Sequence, residues 1–445
     1  MTTSARNVAL EVINRANKTG SYANLLLPKI FEKNHLSPKD KALATQLAYG
    51  TLRNQGTLDW IIKQCASPNK AIKPRVMDLL RLGAYQIYYL DRVPVSAAVN
   101  ETVELSKKHF PKQVGDFVNA VLRKVSANKK KIKFDSLKAN FAEYLSVKYS
   151  HPIWLSNMLL GRFGKQKAEA ICKADNKTPA LNVRVNTLRI SIEAFEKLLV
   201  KKGYEFERSK LASDCLIIES NGPIDNIFGY KEGLFSVQDQ SSALVSHIVD
   251  PKSGHRVIDV AAAPGGKTVH MAALMKNKGA IIASDSSAAR LALLDPLRKR
   301  LKIKIIIPLA VDARRLTMYV KRTVDKVLVD APCSGLGTLA RRPDERWRKS
   351  EEQIHSLSRL QLEILDSVSP LVKKGGDLIY SVCTLTKEET DNVCEDFLSY
   401  HPEFELVDIK DFLPKGTKAN SKYGIQILPY QFNSDGMFIA KFVKK

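Results

Sequence analysis

Two cysteines of this 445-residue chain stand just past the ends of apolar runs, Cys333 in VDKVLVDAPCSGLG and Cys383 in LIYSVCTL. Taken singly, each is most simply a small buried hydrophobe. Taken together, at the ends of neighbouring strands, they would put two thiols into one pocket beside Asp330. A thiolate so placed is a nucleophile for an electron-poor ring. A carboxyl group beside it is the acid–base partner that such an addition needs.

A second group of residues lies in DVAAAPGGKT, residues 259–268, which fits two patterns. With alanine in the first glycine's place, Ala261, four further residues and then Gly266-Lys267-Thr268 make a P-loop, and VLVD before Ala331 would be its magnesium-holding strand. The same stretch fits the nucleoside-binding turn of a Rossmann-like sheet. There, small residues such as Ala261, Ala262, Ala263, Pro264, Gly265 and Gly266 let the backbone approach a ligand, and the next strand ends in an acid for the ribose hydroxyls. Asp285 is that acid, 285 − 266 = 19 residues after the last glycine. Asp312, at the end of the strand after it, is placed to accept from an adenine amino group. Carboxylates repel a triphosphate unless a metal intervenes, whereas S-adenosylmethionine carries a cationic sulfonium and no phosphate. The acids therefore favour S-adenosylmethionine over a nucleoside triphosphate. Lys267 has two readings, contact with the cofactor carboxylate or with a target base.

A methyl donor and a thiol pair suit one reaction in particular. Cytosine C5 is too poor a nucleophile to take a methyl group directly, but a thiolate added at C6 turns the ring into an enamine that can attack a sulfonium methyl. An acid at N3, for which Asp330 is the candidate, assists the addition; a base must afterwards remove the C5 proton so that the thiolate can leave. Either cysteine could reach C6. Further along, Arg341, Arg342, Arg346, Trp347 and Arg348 form a basic, aromatic-bearing segment suited to gripping phosphates and stacking a base; a plain exposed loop is the alternative. The eight histidines show no ligand spacing and six cysteines no CxxC pair, so no metal and no disulfide framework is expected.

The elements that must position these residues alternate from Gly254 onward: VIDVA, the glycine turn, a helix from Thr268, IIASD, a helix through Leu291 and Leu297, IKIIIPLAVD, KVLVDAP, a long helix through Leu357, Leu360 and Ile364, and DLIYSVC. Such alternation predicts a doubly wound, mostly parallel sheet, whose ligands bind at the carboxyl ends of the strands. Upstream, Leu181, Val183 and Val185 alternate as in a strand, SIEAFEKLLVKKG reads as an amphipathic helix and DCLIIES as another strand, which makes a small α+β module. The first third reads as helix: Val8, Val12, Ile13 and Ala16 share one face, Ser37-Pro38 opens a helix burying Leu43 and Leu47, and others follow Pro74 and Asp116. The run KVSANKKKIKFDSLK, residues 124–138, marks a domain edge near residue 127.

The net charge of +24 favours a polyanionic partner. Residues 1–140 hold 24 Lys and Arg against 10 Asp and Glu, a balance of +14, so the basic weight lies in the helical third. The absence of an 18-residue apolar span or a leader peptide predicts a cytosolic protein that binds no membrane.

The stretches DAPCSGLG, RRPDERW, YSVCTLTKEE, DVAAAPGGKT and FSVQDQSSALV resemble the motifs of RNA (cytosine-5)-methyltransferases of the RsmB/NOP family. RNVALEVINRA, LRLGAYQIYYLDRVPVSAAVNETVELSKK and FVNAVLRKV resemble NusB. The resemblance spans nearly the whole chain. It implies an all-α NusB-like domain over residues 1–140, an RNA-recognition-like α+β module with linker helices over 141–232, and a Rossmann-like class I methyltransferase domain over 233–445. It further implies that Cys383 is the nucleophile, that Cys333 helps release the product, and that Ala261 to Lys267, Asp285, Asp312 and Asp330 bind S-adenosylmethionine. The expected substrate is 16S ribosomal RNA, free or in an early assembly intermediate, and the expected state is a monomer. One departure is Ala261, where the family commonly has cysteine; backbone supplies the contact at that position. A different class of function is an RNA-binding assembly or antitermination factor that only senses cofactor, but a pure binder has no need of both thiols.

Overall fold

A computed structural model describes residues 4–67, 71–219 and 222–445. The chain divides into two compact units, Met1–Lys177 with Leu339–Arg348, and Thr178–Thr338 with Lys349–Lys445.

The first unit is helical: α1 Ala5–Thr19, α2 Ala23–Lys33, α3 Pro38–Arg53, α4 Gln55–Cys65, α5 Pro74–Tyr89, α6 Val95–His109, α7 Lys112–Asn128, α8 Phe141–Tyr149 and α9 Ile153–Asp175. Local chemistry sets the boundaries. Ser4 and Ser37 cap α1 and α3 by accepting from Asn7 N–H and Asp40 N–H, Pro38 occupies the first turn of α3, and Gly20 ends α1 in the left-handed conformation. Val8, Val12, Ile13 and Ala16 are buried together with Leu47, Leu79 and Leu122 in one core.

The unit continues past residue 127, where the sequence places its edge. By its contacts the compact unit takes in α8 and α9. The Thr57 hydroxyl donates to Val147 O at 2.6 Å and Gly56 N–H to Ser150 Oγ at 2.8 Å, which fastens the end of α8 to the start of α4. The division between the two compact units falls at Lys177.

The second unit begins with β1 Leu181–Val185, α10 Ile192–Lys201, β2 Phe206–Arg208, β3 Cys215–Ile218 and β4 Phe235–Val237. The four strands form an antiparallel sheet in the order β2-β3-β1-β4. Phe195 and Leu199 of α10 pack with Val183, Val185, Leu216 and Phe235 into a small separate core.

After α11 Gln240–Val249 the alternation runs β5 Arg256–Val260, α12 Gly266–Leu274, β6 Ala280–Asp285, α13 Ala288–Leu291, α14 Leu294–Arg300, β7 Ile306–Ala310, α15 Leu316–Tyr319, β8 Val324–Asp330, α16 Glu351–Val368 and β9 Val372–Val382. α17 Asp391–Tyr400, β10 Phe404–Leu406, β11 Ile425–Ile427 and β12 Met437–Lys444 complete it. The sheet order is β10-β12-β9-β8-β5-β6-β7, with β11 on β12. β9, β8, β5, β6 and β7 are parallel, and β12 runs antiparallel to β9. Val257, Ile258, Val260, Val327, Leu328 and Val329 are buried, as expected of parallel strands covered by helices on both faces. The strand order reverses at β5 and β8, and the crevice of such a sheet opens there, at the carboxyl ends.

Candidate active site

The turn after β5 is shaped by its small residues. Ala261 turns the chain with φ of 58°, Ala262 N–H donates to Ser284 O at 2.8 Å, and Gly265 N–H closes onto Ala262 O at 2.8 Å. Gly265 has φ of 104°, and a Cβ there would lie 2.2 Å from Leu294 Cδ1, so only glycine fits. A Cβ on Gly266 would meet nothing within 4 Å, which leaves open space where the backbone enters α12. The Asp285 carboxylate ends β6 and accepts from Ala263 N–H at 3.2 Å and Ser287 N–H at 2.9 Å.

Behind the turn, Asp259 is buried with Oδ2 accepting from Thr268 Oγ1 at 2.5 Å and Oδ1 without a partner. Burial pushes this carboxyl up to about 7, against the Thr268 hydrogen bond, with the Asp330 charge adding to the rise. A buried acid with an orphaned oxygen beside a turn of small residues fits a ligand that brings a cationic group. Asp312 lies two residues past β7, half exposed, and is gripped by Arg314 through Nη2–Oδ2 at 2.8 Å and Nε–Oδ1 at 3.1 Å, which holds its carboxyl down to about 2.

β8 and β9 pair in parallel with Asp330 opposite Ser381. Cys333 follows β8 by three residues and Cys383 follows β9 by one, and the neighbouring strand ends bring the two sulfurs to 3.3 Å. Asp330 Oδ1 accepts from Ser381 Oγ at 2.8 Å, and Oδ2 from Lys267 Nζ at 2.8 Å. Burial pulls the Lys267 ammonium down, but the Asp330 carboxylate outweighs it and leaves it above its usual value. The Cys333 thiol is held well above the usual range by its hydrogen bond with Cys383, then by burial and by the charges of Cys383 and Glu389. Thus Lys267, Asp330, Cys333 and Cys383 converge, with the glycine turn and Asp285 on the adjoining strands.

The basic segment takes another place. Residues 339–348 belong to the helical unit, and the Arg346 side chain is fully buried there. Its Nη1 donates to Ser150 O and Asn176 Oδ1 at 2.9 Å and Tyr149 O at 3.2 Å, and its Nη2 to Asp175 O at 3.2 Å. Arg348 pairs with Asp344 at 2.6 Å and lies over the Tyr22 ring, and Trp347 sits so close to Gly56 that a Cβ there would be 2.7 Å from the indole. Arg346 is therefore fixed inside the helical unit with no exposed guanidinium to grip RNA, while Trp347 and Arg348 are half-buried. Arg342 is exposed and Arg341 half-buried.

Two groups had no signal in the sequence. Glu389, in YSVCTLTKEE, is fully buried between the two cysteine-bearing loops. Asp214, before β3, accepts from His247 Nε2 and His270 Nε2 at 2.8 Å each, and these ligand atoms lie within 4.8 Å of one another. Burial pushes the buried His270 down to about 3, and the charge of the buried Arg184 pushes the same way. A cationic neighbour suits the cluster to balancing charge more than to holding a metal ion.

The sheet order, the switch-point crevice and the cluster within it are those of a Rossmann-like methyltransferase domain. Residues 246–443 match the family 16S rRNA methyltransferase RsmB/F, residues 3–127 the NusB family, and residues 151–225 a ferredoxin-like domain of RsmF/B-like methyltransferases. The chain belongs to the RsmB/F family of 16S rRNA methyltransferases. It is 37% identical over 446 residues to the probable ribosomal RNA small subunit methyltransferase B of Bacillus subtilis, covering 100% of this chain and 99% of that protein. It is 32% identical to ribosomal RNA small subunit methyltransferase B of Cronobacter sakazakii, covering 99% of this chain and 98% of the other. The crystal structure of PH0851 superposes with a TM-score of 0.82 at 31% identity, covering 100% of both chains. The small antiparallel sheet is accordingly a ferredoxin-like module, and among the described residues no helix is long and apolar enough to cross a membrane.

Proposed function

We propose that this chain methylates C5 of a cytosine in 16S ribosomal RNA, in the cytoplasm, using S-adenosylmethionine. The observation that carries the reading is the pair of sulfurs 3.3 Å apart at adjacent strand ends, beside the bonded Lys267 and Asp330. Relatives matched over their whole length are small-subunit ribosomal RNA methyltransferases, which supports the substrate class. The residues that would hold S-adenosylmethionine are Ala261 to Lys267, Asp285, Asp312 and Asp330. When bound, that molecule supplies the methyl group as a sulfonium.

The protein's own residues do the rest. Cys383 as thiolate adds to C6, and the electrons displaced move toward N3, where Asp330 assists; Lys267 stays protonated and gives the pair a proton to offer. After C5 has gained the methyl group, a base takes its proton, the electrons of that C–H bond re-form the ring double bond, and the Cys383–C6 bond breaks. Cys333, 3.3 Å from the leaving sulfur, is placed to donate a hydrogen bond to it and so to assist release.

Calorimetry tests the cofactor part. S-adenosylmethionine is expected to bind without magnesium, and ATP with magnesium should not compete. Asp285→Ala should weaken the binding by about 1 to 3 kcal/mol, the range for hydrogen bonds to a charged group. Tight, magnesium-dependent ATP binding would overturn the reading in favour of a P-loop.

A further inference from the structure

The carboxylate of Glu389 receives two N–H groups and three hydroxyls, more donors than any other acid near the thiols. Oε1 accepts from Ser334 N–H at 2.8 Å and from Gln361 Nε2 at 3.0 Å. Oε2 is approached by Ser334 Oγ at 2.5 Å, Thr386 Oγ1 at 2.9 Å and Thr384 Oγ1 at 3.0 Å, and the Ser334 and Thr384 hydroxyls meet each other at 2.6 Å. Gln361 also donates to Pro332 O at 2.8 Å, and Tyr380 holds both Gln361 Oε1 and Glu389 O. Ser334 directly follows Cys333 and Thr384 directly follows Cys383. One buried carboxylate therefore ties the residue after each cysteine to the other.

Charge is distributed unequally about the two sulfurs. The titratable groups facing them are Lys267 of α12, Asp330 of β8, Tyr380 of β9 and Glu389 from the turn before α17. Lys267 is bonded to Asp330, which pairs with Ser381 on the strand that leads to Cys383, and Glu389 Oε1 accepts from the Ser334 N–H directly after Cys333. A cation beside one thiol favours its ionised form, and an anion beside the other favours its protonated form.

We propose that Glu389 is a positioning residue that locks the Cys333 loop to the Cys383 loop and sets its carboxylate against the peptide group that follows Cys333. Cys383, on the Lys267 side, is then the thiol free to attack, and Cys333 retains the hydrogen that it presents to the leaving sulfur. This assignment rests on the covalent mechanism above, but its first test needs neither RNA nor methyl transfer.

The test is the rate at which iodoacetamide modifies each cysteine of the full chain between pH 6 and 10, read from peptide masses. In the unmodified protein Cys383 should react first, with Cys333 slow until high pH. In Glu389→Gln the ratio of the two rates should narrow by about tenfold, the change in ionisation that one pH unit brings. S-adenosylmethionine affinity should stay within about twofold. If Glu389→Gln fails to bind the cofactor, Ser334→Ala decides, because it removes one tie and leaves the charge; it should lower kcat about tenfold with the cofactor KM unchanged, an effect of roughly one lost hydrogen bond. Equal cysteine ratios in the parent and Glu389→Gln, or an unchanged kcat in Ser334→Ala, overturn the proposal. Failure of the covalent mechanism would show separately, as absence of any RNA adduct in Cys333→Ala.

Discussion

Cys383→Ala is expected to abolish methylation and to form no adduct with RNA, because no thiolate remains placed to activate the ring. Cys333→Ala is expected to behave differently: attack and methyl transfer proceed, but the product stays attached through Cys383. On a denaturing gel only Cys333→Ala should show a slow band that contains RNA and needs the methyl donor to accumulate. The sulfurs are 3.3 Å apart, with the Lys267–Asp330 pair opposite the strand that leads to Cys383 and Glu389 bonded to the N–H after Cys333. An adduct in Cys383→Ala and none in Cys333→Ala would make Cys333 the nucleophile and reverse the assignment.

The second large effect is on stability. Arg346→Leu should cost about 3 to 5 kcal/mol in the helical unit, the range for removing one partner of a buried charged network. Burial pulls its guanidinium down to about 10, yet four hydrogen bonds of 3.2 Å or shorter to the ends of α8 and α9 hold it there. Removing it orphans the buried backbone carbonyls of Ser150 and Asp175. Arg346→Lys should recover little, since an ammonium is a point charge that cannot span acceptors spread over the guanidinium fork. Hydrogen exchange resolves the helical unit from the rest of the chain: amides of α4 and α8 should lose protection in Arg346→Leu while those of β5 and β8 keep it. Unchanged protection in α8 would show that the buried guanidinium is not what fastens these helix ends.

The same residue shows where sequence reading reaches its limit. The parallel sheet was legible because VIDVA, IIASD and KVLVDAP are short, mostly apolar runs that each carry an acid near the carboxyl end, and because turn residues separate them from amphipathic helices. The site followed from topology, since residues just past those runs must meet at the carboxyl ends of the strands. Arg346, by contrast, bonds mainly to backbone carbonyls, which carry no side-chain signature, so a basic, aromatic segment reads as an RNA grip. Glu389 is hidden in the same way: an acid in TLTKEE looks solvated, and only the fold delivers two N–H groups and three hydroxyls to it. Asp214, His247 and His270 come from three different elements, and no spacing announces them.

The most direct measurement of the proposed reaction is nucleoside mass spectrometry of unmethylated small-subunit ribosomal RNA after incubation with the purified protein and S-adenosylmethionine carrying a labelled methyl group. The label should appear in 5-methylcytidine at a single position, and Cys383→Ala should leave the RNA unlabelled. Label in a different methylated nucleoside, or in 5-methylcytidine at undiminished yield with Cys383→Ala, would contradict the mechanism at its centre.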